Sequence, residues 1–239
     1  MCRDYILEKQ WRLHKKLLDE EFEKRKRPVL RVVSPSEGYE PNDYVRMTMA
    51  LTKPSPIVRA VEDGDGCELT NANWWFVPST FKGTYREFQR KLTTFNARSD
   101  GIAKSNTFRK AFATRRCLVS ATGWYEWTEP PDWKKGKPKT KWRFALGDAE
   151  PIFFAGIWDR FENTDPENPG PMDTFALVTH DAGPGVDTHH DRAPIVLGAD
   201  AWADWLDRST DNPLGLLPPA SAANAYGVHY VSGPEPAKI

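Results

Sequence analysis

Cysteine is scarce in this chain: Cys2, Cys67 and Cys117 are three among 239 residues, odd in number and far apart. That usage argues against a disulfide framework and fits a reducing compartment. It also lacks the close paired spacing of zinc motifs, so no metal is expected. Long apolar runs are missing as well. The longest, Ile152 to Trp158 and Phe175 to Val178, fall far short of the ~20 residues that cross a bilayer. The start of the chain shows no short apolar core of a secretory signal, and a cytoplasmic protein without a membrane partner is expected. There is no internal repeat. Net charge is zero, with 33 Lys and Arg against 33 Asp and Glu, which at first argues against a polyanion as partner.

The balance conceals a segregation along the sequence. Lys82 to Arg116 holds ten basic residues against Glu87 and Asp100, and Lys134 to Arg143 holds six more. Asp148 to Asp173 carries seven acids against Arg160 alone. Such basic blocks are the footprint of a phosphate-backbone binder, although a solvated helical face is the commoner cause of any single cluster. Hydrophobic content of 39% with ten Trp is ample for burial, and the length suits one domain over 1–239.

Periodicity predicts an amphipathic helix over residues 4–27, with Leu7, Trp11, Leu18 and Phe22 on one face and Lys15–Asp19 and Lys16–Glu20 as i,i+4 pairs. Strands are expected at 31–33, 57–61, 67–69, 117–119, 123–127, 142–146, 152–158, 174–179 and 228–231, with a hairpin turn at 63–66. The segments 142–146 and 152–158 read as a hairpin around Gly147 and Asp148. Helical character lies at 84–92, 107–114 and 200–208, and 34–43 and 163–171 read as loops. Strands and helices do not alternate regularly. The expected fold is therefore α+β, one domain with mixed or mainly antiparallel sheets in a barrel-like arrangement with flanking helices. The 4–27 helix would be an elaboration and 209–239 a tail.

Met1 and Cys2 carry the first chemical suggestion. If Met1 is trimmed, Cys2 becomes a 1,2-aminothiol whose α-amine titrates near 7.7 to 8.0. Such an amine condenses with an aldehyde, and the neighbouring thiol then closes a five-membered ring on the imine. Four further segments stand out: Trp74-Trp75-Phe76-Val77-Pro78, Asn96-Ala97-Arg98, the run Arg115 to Val119 leading to Gly123-Trp124-Tyr125-Glu126-Trp127, and His190-Asp191-Arg192-Ala193-Pro194.

In this order and spacing, from Cys2 to about Trp205, these segments resemble the SOS response-associated peptidase family, whose members shield abasic sites in single-stranded DNA through an N-terminal cysteine. The resemblance implies that Cys2 is the nucleophile and Asn96 orients the N-terminal amine or the opened sugar. Glu126 is then the acid-base group, and His190 assists opening of the sugar and stabilises the imine stage. Strand alternation would let only one of His189 and His190 reach the site, and the motif selects His190. An apolar setting for Glu126, between Tyr125 and Trp127, would raise its pKa toward neutrality.

Arg98 and Arg192, with Arg3, are then phosphate ligands, and Trp74 and Trp75 offer stacking surface for bases, core packing being the better reading for one of them. The implied partner is abasic single-stranded DNA, engaged by a monomer without cofactor in the DNA damage response. A thiol peptidase or autopeptidase using Cys2 and His190, a lyase activity, and a non-catalytic single-strand binder are the alternatives. The chain departs from the family pattern where Arg3 follows Cys2 directly, without the usual glycine, and where Trp75, Ser120 and Ala193 replace a glycine, a proline and a methionine. Tyr44 to Leu51 stands where relatives carry Asn-Ile-Ala-Pro.

Overall fold

The computed structural model describes residues 2–7, 11–25, 47–61, 66–146, 150–219 and 228–235. Twelve strands and four helices follow one another among them: β1 (Asp4–Leu7), α1 (Trp11–Lys24), β2 (Met47–Ala50), β3 (Pro54–Ala60), β4 (Cys67–Trp74), α2 (Tyr85–Lys91), β5 (Asn96–Arg98), α3 (Arg109–Thr114), β6 (Arg116–Ala121), β7 (Gly123–Thr128), β8 (Thr140–Leu146), β9 (Ile152–Asn163), β10 (Gly170–Asp181), β11 (Arg192–Pro194), α4 (Ala199–Leu206) and β12 (Val228–Glu235). No helix among the described residues is long and apolar enough to cross a membrane. The expected strand at 31–33 and loop at 34–43 lie outside the described residues, as do the turns at 63–65 and 147–148.

Five strands close on themselves in the order β10-β4-β3-β6-β9 and back to β10. The β10–β4 pair is parallel and the others are antiparallel, which makes a small mixed barrel. Beside it lies a five-stranded sheet, β12-β8-β7-β1-β2. The fold is α+β with a barrel, flanking sheet and few helices.

Both faces of the barrel strands are covered, so the strands read as apolar runs rather than as alternating ones. Val58, Leu118, Ala155, Ile157, Ala176 and Val178 meet Leu18 and Phe22 of α1, Phe112 of α3 and Trp202 and Trp205 of α4 in one cluster. Their neighbours in sequence, Ile57, Cys117, Val119, Phe154, Phe175 and Leu177, join Cys2, Tyr5, Trp124 and Phe144 in a second cluster. Burial of this apolar area, at roughly 25 cal/mol per Å2, is the main stabilising term.

Two sequence expectations need correction. Residues 4–7 are strand, not helix, because Asp4 to Leu7 pair with β7 on one side and β2 on the other. The helix proper begins at Trp11 and does carry the Lys16–Glu20 pair at 3.6 Å. Its buried His14 reaches the Ala121 carbonyl at 3.3 Å. The second correction concerns β8 and β9, which are not a hairpin. The first belongs to the flanking sheet and the second to the barrel, so the chain crosses between sheets there. Strand β9 pairs instead with β10 through Asn163 and Gly170.

Candidate functional site

Strand β1 is central in its sheet, and its antiparallel register sets Asp4 against Tyr125 and Tyr5 against Trp124. Continued by one residue, that register brings Arg3 opposite Glu126 and lays the chain start along β7. Gly123 allows β7 its course. Its φ is +156°, and a Cβ there would lie 2.4 Å from the Phe144 carbonyl oxygen of β8. From the barrel side, β10 supplies two supports near its end: β5 runs parallel to it, with Asn96 against Leu177, and β11 antiparallel, with Arg192 against Asp181. Cys2, Asn96, Glu126 and His190 thus come from four separate segments.

They meet at one place. The Asn96 side-chain amide donates to the Cys2 carbonyl oxygen at 3.0 Å. Asn96 Oδ1 is buried and has no hydrogen-bond partner among the described residues. The Cys2 thiol, itself buried, lies 3.5 Å from the Asp4 carbonyl. Burial first, and the nearby Glu126 carboxylate second, push that thiol well above its ordinary pKa. The Glu126 side chain is 1% exposed, with His190 Nε2 3.9 Å from its Oε2. Burial pushes the Glu126 carboxyl up to about 7. His190 moves the other way, its pKa lowered chiefly by burial.

His190 Nδ1 accepts the Arg192 backbone N–H at 2.9 Å. In the neutral ring that leaves the proton on Nε2, the nitrogen that faces Glu126. Asp191 Oδ1 also lies 2.9 Å from Nδ1 and favours the charged ring, yet it is 86% exposed, so water weakens its pull. Beyond these groups opens a cleft of about 580 Å3, lined by Arg3, Asp4, Ala50, Leu51, Glu126, Trp127, Lys139 and His190.

The remaining sequence candidates divide by exposure. Arg98 is 60% exposed and clasps the equally exposed Asp100 at 2.8 Å. Water screens an exposed pair of this kind, so it holds the guanidinium only weakly. Arg192 is buried instead, bound to the Thr179 carbonyl at 2.9 Å and to Asp181. Its guanidinium ties β11 to β10. Trp74 is fully buried, donates to the Phe95 carbonyl at 2.9 Å and stacks on Phe175, so it presents no ring to a base. Trp75 is half-buried, tilted on Phe95 with its N–H on the Leu92 carbonyl.

His189 and His190 diverge, although by loop geometry and not by strand alternation. The His189 ring sits 4.2 Å from Trp142 and 5.5 Å from Phe144. The sequence reading missed Trp127 and Lys139 as cleft residues. Alternation along β7 and β8, which sets Trp127 against Lys141, was the available signal. Lys141 Nζ lies 3.5 Å above the Tyr125 ring and 5.9 Å from that of Trp127.

A closed mixed barrel with a flanking sheet, and a cysteine near the chain start held beside a buried carboxyl and an imidazole, define an α+β protein with a buried polar site where the chain start meets β7. The chain belongs to the SOS response associated peptidase (SRAP) family, whose model matches residues 1–233. Among its relatives, the abasic site processing protein YoqW of Bacillus subtilis is 27% identical over 159 residues, 66% of this chain and 65% of that protein. HMCES of Pongo abelii, also called an abasic site processing protein, is 28% identical over 199 residues, covering 72% of this chain and 55% of the relative. The Escherichia coli protein YedK, of the same description, is 31% identical over 146 residues, 59% of this chain and 61% of its own. The chain thus matches under two thirds of the length of these relatives. A crystal structure of a Bordetella bronchiseptica protein shares the fold, with a TM-score of 0.63 at 24% identity over 91% of this chain and 94% of that one.

Proposed function

We propose that this chain captures abasic sites in single-stranded DNA as a covalent adduct through Cys2, within a DNA-damage response. Relatives described as abasic site processing proteins support the substrate class. The observation that carries the reading is that Asn96 holds the Cys2 carbonyl and His190 faces Glu126, from four separate segments, with Glu126 and His190 opening onto the cleft.

Removal of Met1 comes first, since only then does the α-amine belong to Cys2. The ring-opened sugar presents an aldehyde carbon. The Cys2 amine adds to it, forming the C–N bond, and the resulting carbinolamine loses water. Its departing oxygen takes a proton from the Glu126 carboxyl, which at neutral pH is about half protonated. The thiol then adds to the imine carbon. A C–S bond forms, and the thiol proton passes through the Glu126 carboxylate to the nitrogen. Aldehyde plus aminothiol gives thiazolidine plus water, with no oxidant or reductant required.

His190, neutral with Nε2–H toward Glu126, shuttles the proton that opens the sugar. Asn96 fixes the Cys2 carbonyl and with it the direction of the amine, and its unspent Oδ1 is placed to accept an N–H. The raised thiol pKa supports amine-first chemistry. A thiol peptidase needs thiolate near neutral pH, and burial opposes it.

The test is incubation of Met1-free protein, verified by intact mass, with an abasic oligonucleotide. A gel-stable adduct of the summed masses less one water is expected, and its persistence in Cys2→Ala would overturn the proposal.

A further inference from the structure

The β7–β8 hairpin ends in an eleven-residue loop, 129–139, because Thr128 and Thr140 are its last paired residues. Hairpin loops usually span about 2 to 5 residues, so this one is unusually long. This one is tied to itself. Trp133 Nε1 donates to the Lys137 carbonyl at 2.7 Å. The Trp133 N–H reaches the Pro130 carbonyl, and that of Lys137 the Lys134 carbonyl, both at 2.9 Å. Gly136 takes a φ of +90°, open to glycine at no steric cost. Lys139 Nζ stands 5.0 Å above the Trp133 ring and 2.7 Å from Glu129.

The product is a preset shape rather than a loose tether, and it carries charge. Lys134, Lys135 and Lys137 are all exposed, and among the described residues none forms an ion pair with a carboxylate. The loop is also continuous with the cleft. Lys139 lines it together with Glu126 and His190, and Lys141 rests on the Tyr125 and Trp127 rings next in line. Cations therefore run from the reaction centre outward along one hairpin. Holding them in order costs the free protein little, because the Trp133 contacts already fix the loop.

We infer that this loop is a second phosphate clamp, which grips the sugar-phosphate backbone of the DNA strand several nucleotides beyond the residue held in the cleft. The inference rests on the reading of the cleft as a DNA site and adds to it a length dependence. Contacts of this kind are sequence-independent, and each phosphate neutralised on a single strand contributes about 0.7 to the slope of log K against log salt.

The experiment compares the Met1-free chain with its K134A/K135A/K137A variant on single strands of about 6 and about 20 nucleotides, with and without a central abasic site. Exposed lysines leave folding intact, which a melting curve verifies. On the long strand the variant is expected to bind about 10-fold more weakly or worse at low salt, and its salt slope to fall by about 2. Affinity and adduct rate on the short strand are expected to match those of the parent. An unchanged slope on the long strand overturns the clamp, and so does an equal loss on both lengths, which would put the lysines inside the cleft. If the parent binds the long strand through these lysines yet never forms an adduct, the clamp stands and the crosslinking proposal falls.

Discussion

His190 Nε2 lies 3.9 Å from Glu126 Oε2, and burial drives each of the two groups toward its own neutral form. A substrate hydroxyl placed beside both can hydrogen-bond to each, so a proton can enter on one side and leave on the other. Near neutral pH neither group carries a full charge, which suits a site that must both give and accept protons.

The first prediction concerns rate. Replacing Glu126 with Gln keeps its shape and removes its acid-base capacity, so adduct formation should slow by about 10² to 10⁴. Single-turnover gel kinetics across pH reads this, and the parent profile should bend near the Glu126 pKa of about 7.

The same residue makes a stability prediction of opposite sign. The folded pKa is raised from 4.5 to about 7, so folding favours the protonated acid. That contribution is complete below the unfolded pKa and is lost as pH rises through the folded one. Above about pH 8 the buried carboxylate costs on the order of 3 kcal/mol. Glu126→Gln should therefore melt higher than the parent in mild alkali and similarly near pH 4. Equal melting temperatures at alkaline pH would exclude the buried, raised carboxyl.

Arg98 and Arg192 should separate cleanly. Arg98→Ala removes an exposed cation and is expected to weaken single-strand binding and shrink its salt slope by about 0.7, with the melting temperature unchanged. Arg192→Ala removes the guanidinium that ties the Thr179 carbonyl and Asp181 to β11, leaving that carbonyl the Ser99 N–H alone, and should cost about 1 to 3 kcal/mol in denaturant titrations.

The tryptophan pair divides in the same way. Trp74→Ala opens a cavity in the core and should cost about 3 to 5 kcal/mol of stability. Trp75→Ala should instead weaken single-strand binding by about 1 to 3 kcal/mol if its exposed edge meets a base. Paired melting and binding curves decide between the roles.

Gly123→Ala tests the course of β7. With φ at +156° and the Phe144 oxygen 2.4 Å from the new Cβ, a loss of about 2 kcal/mol or more is expected, together with slower adduct formation. A neutral result would show that β7 can shift without disturbing Glu126.

Much of this architecture is legible in the chain. Apolar runs such as Ile152 to Trp158 announce β9, and Thr84 with Glu87 forms the capping box that starts α2. What escaped is tertiary. Asp4 to Leu7 continue a helical period by chance, and only pairing with β7, more than a hundred residues away, makes them a strand. The break between β8 and β9 lies in which sheet each joins, and period-2 patterning is the same in both. Trp74 and Trp75 are likewise adjacent and chemically identical, so only the pleat decides which one faces the core. Charge was visible at Lys134 to Arg143, but its relation to the cleft required the β7–β8 register.

Strand β1 is made first, yet one of its two edges must wait for β7. Its partner β2 follows soon, but β7 emerges about 120 residues later, which at roughly 5 to 20 residues per second leaves the other edge of β1 without its partner for something like 6 to 24 seconds of synthesis. Once Tyr5 and Cys2 pack together with Trp124 and Phe154, Cys2 is buried. Under the proposed chemistry, trimming of Met1 is thus a race against folding, and molecules that fold before being trimmed would form a dormant fraction. Slower translation across the first half of the message would enlarge the competent share without changing a single residue.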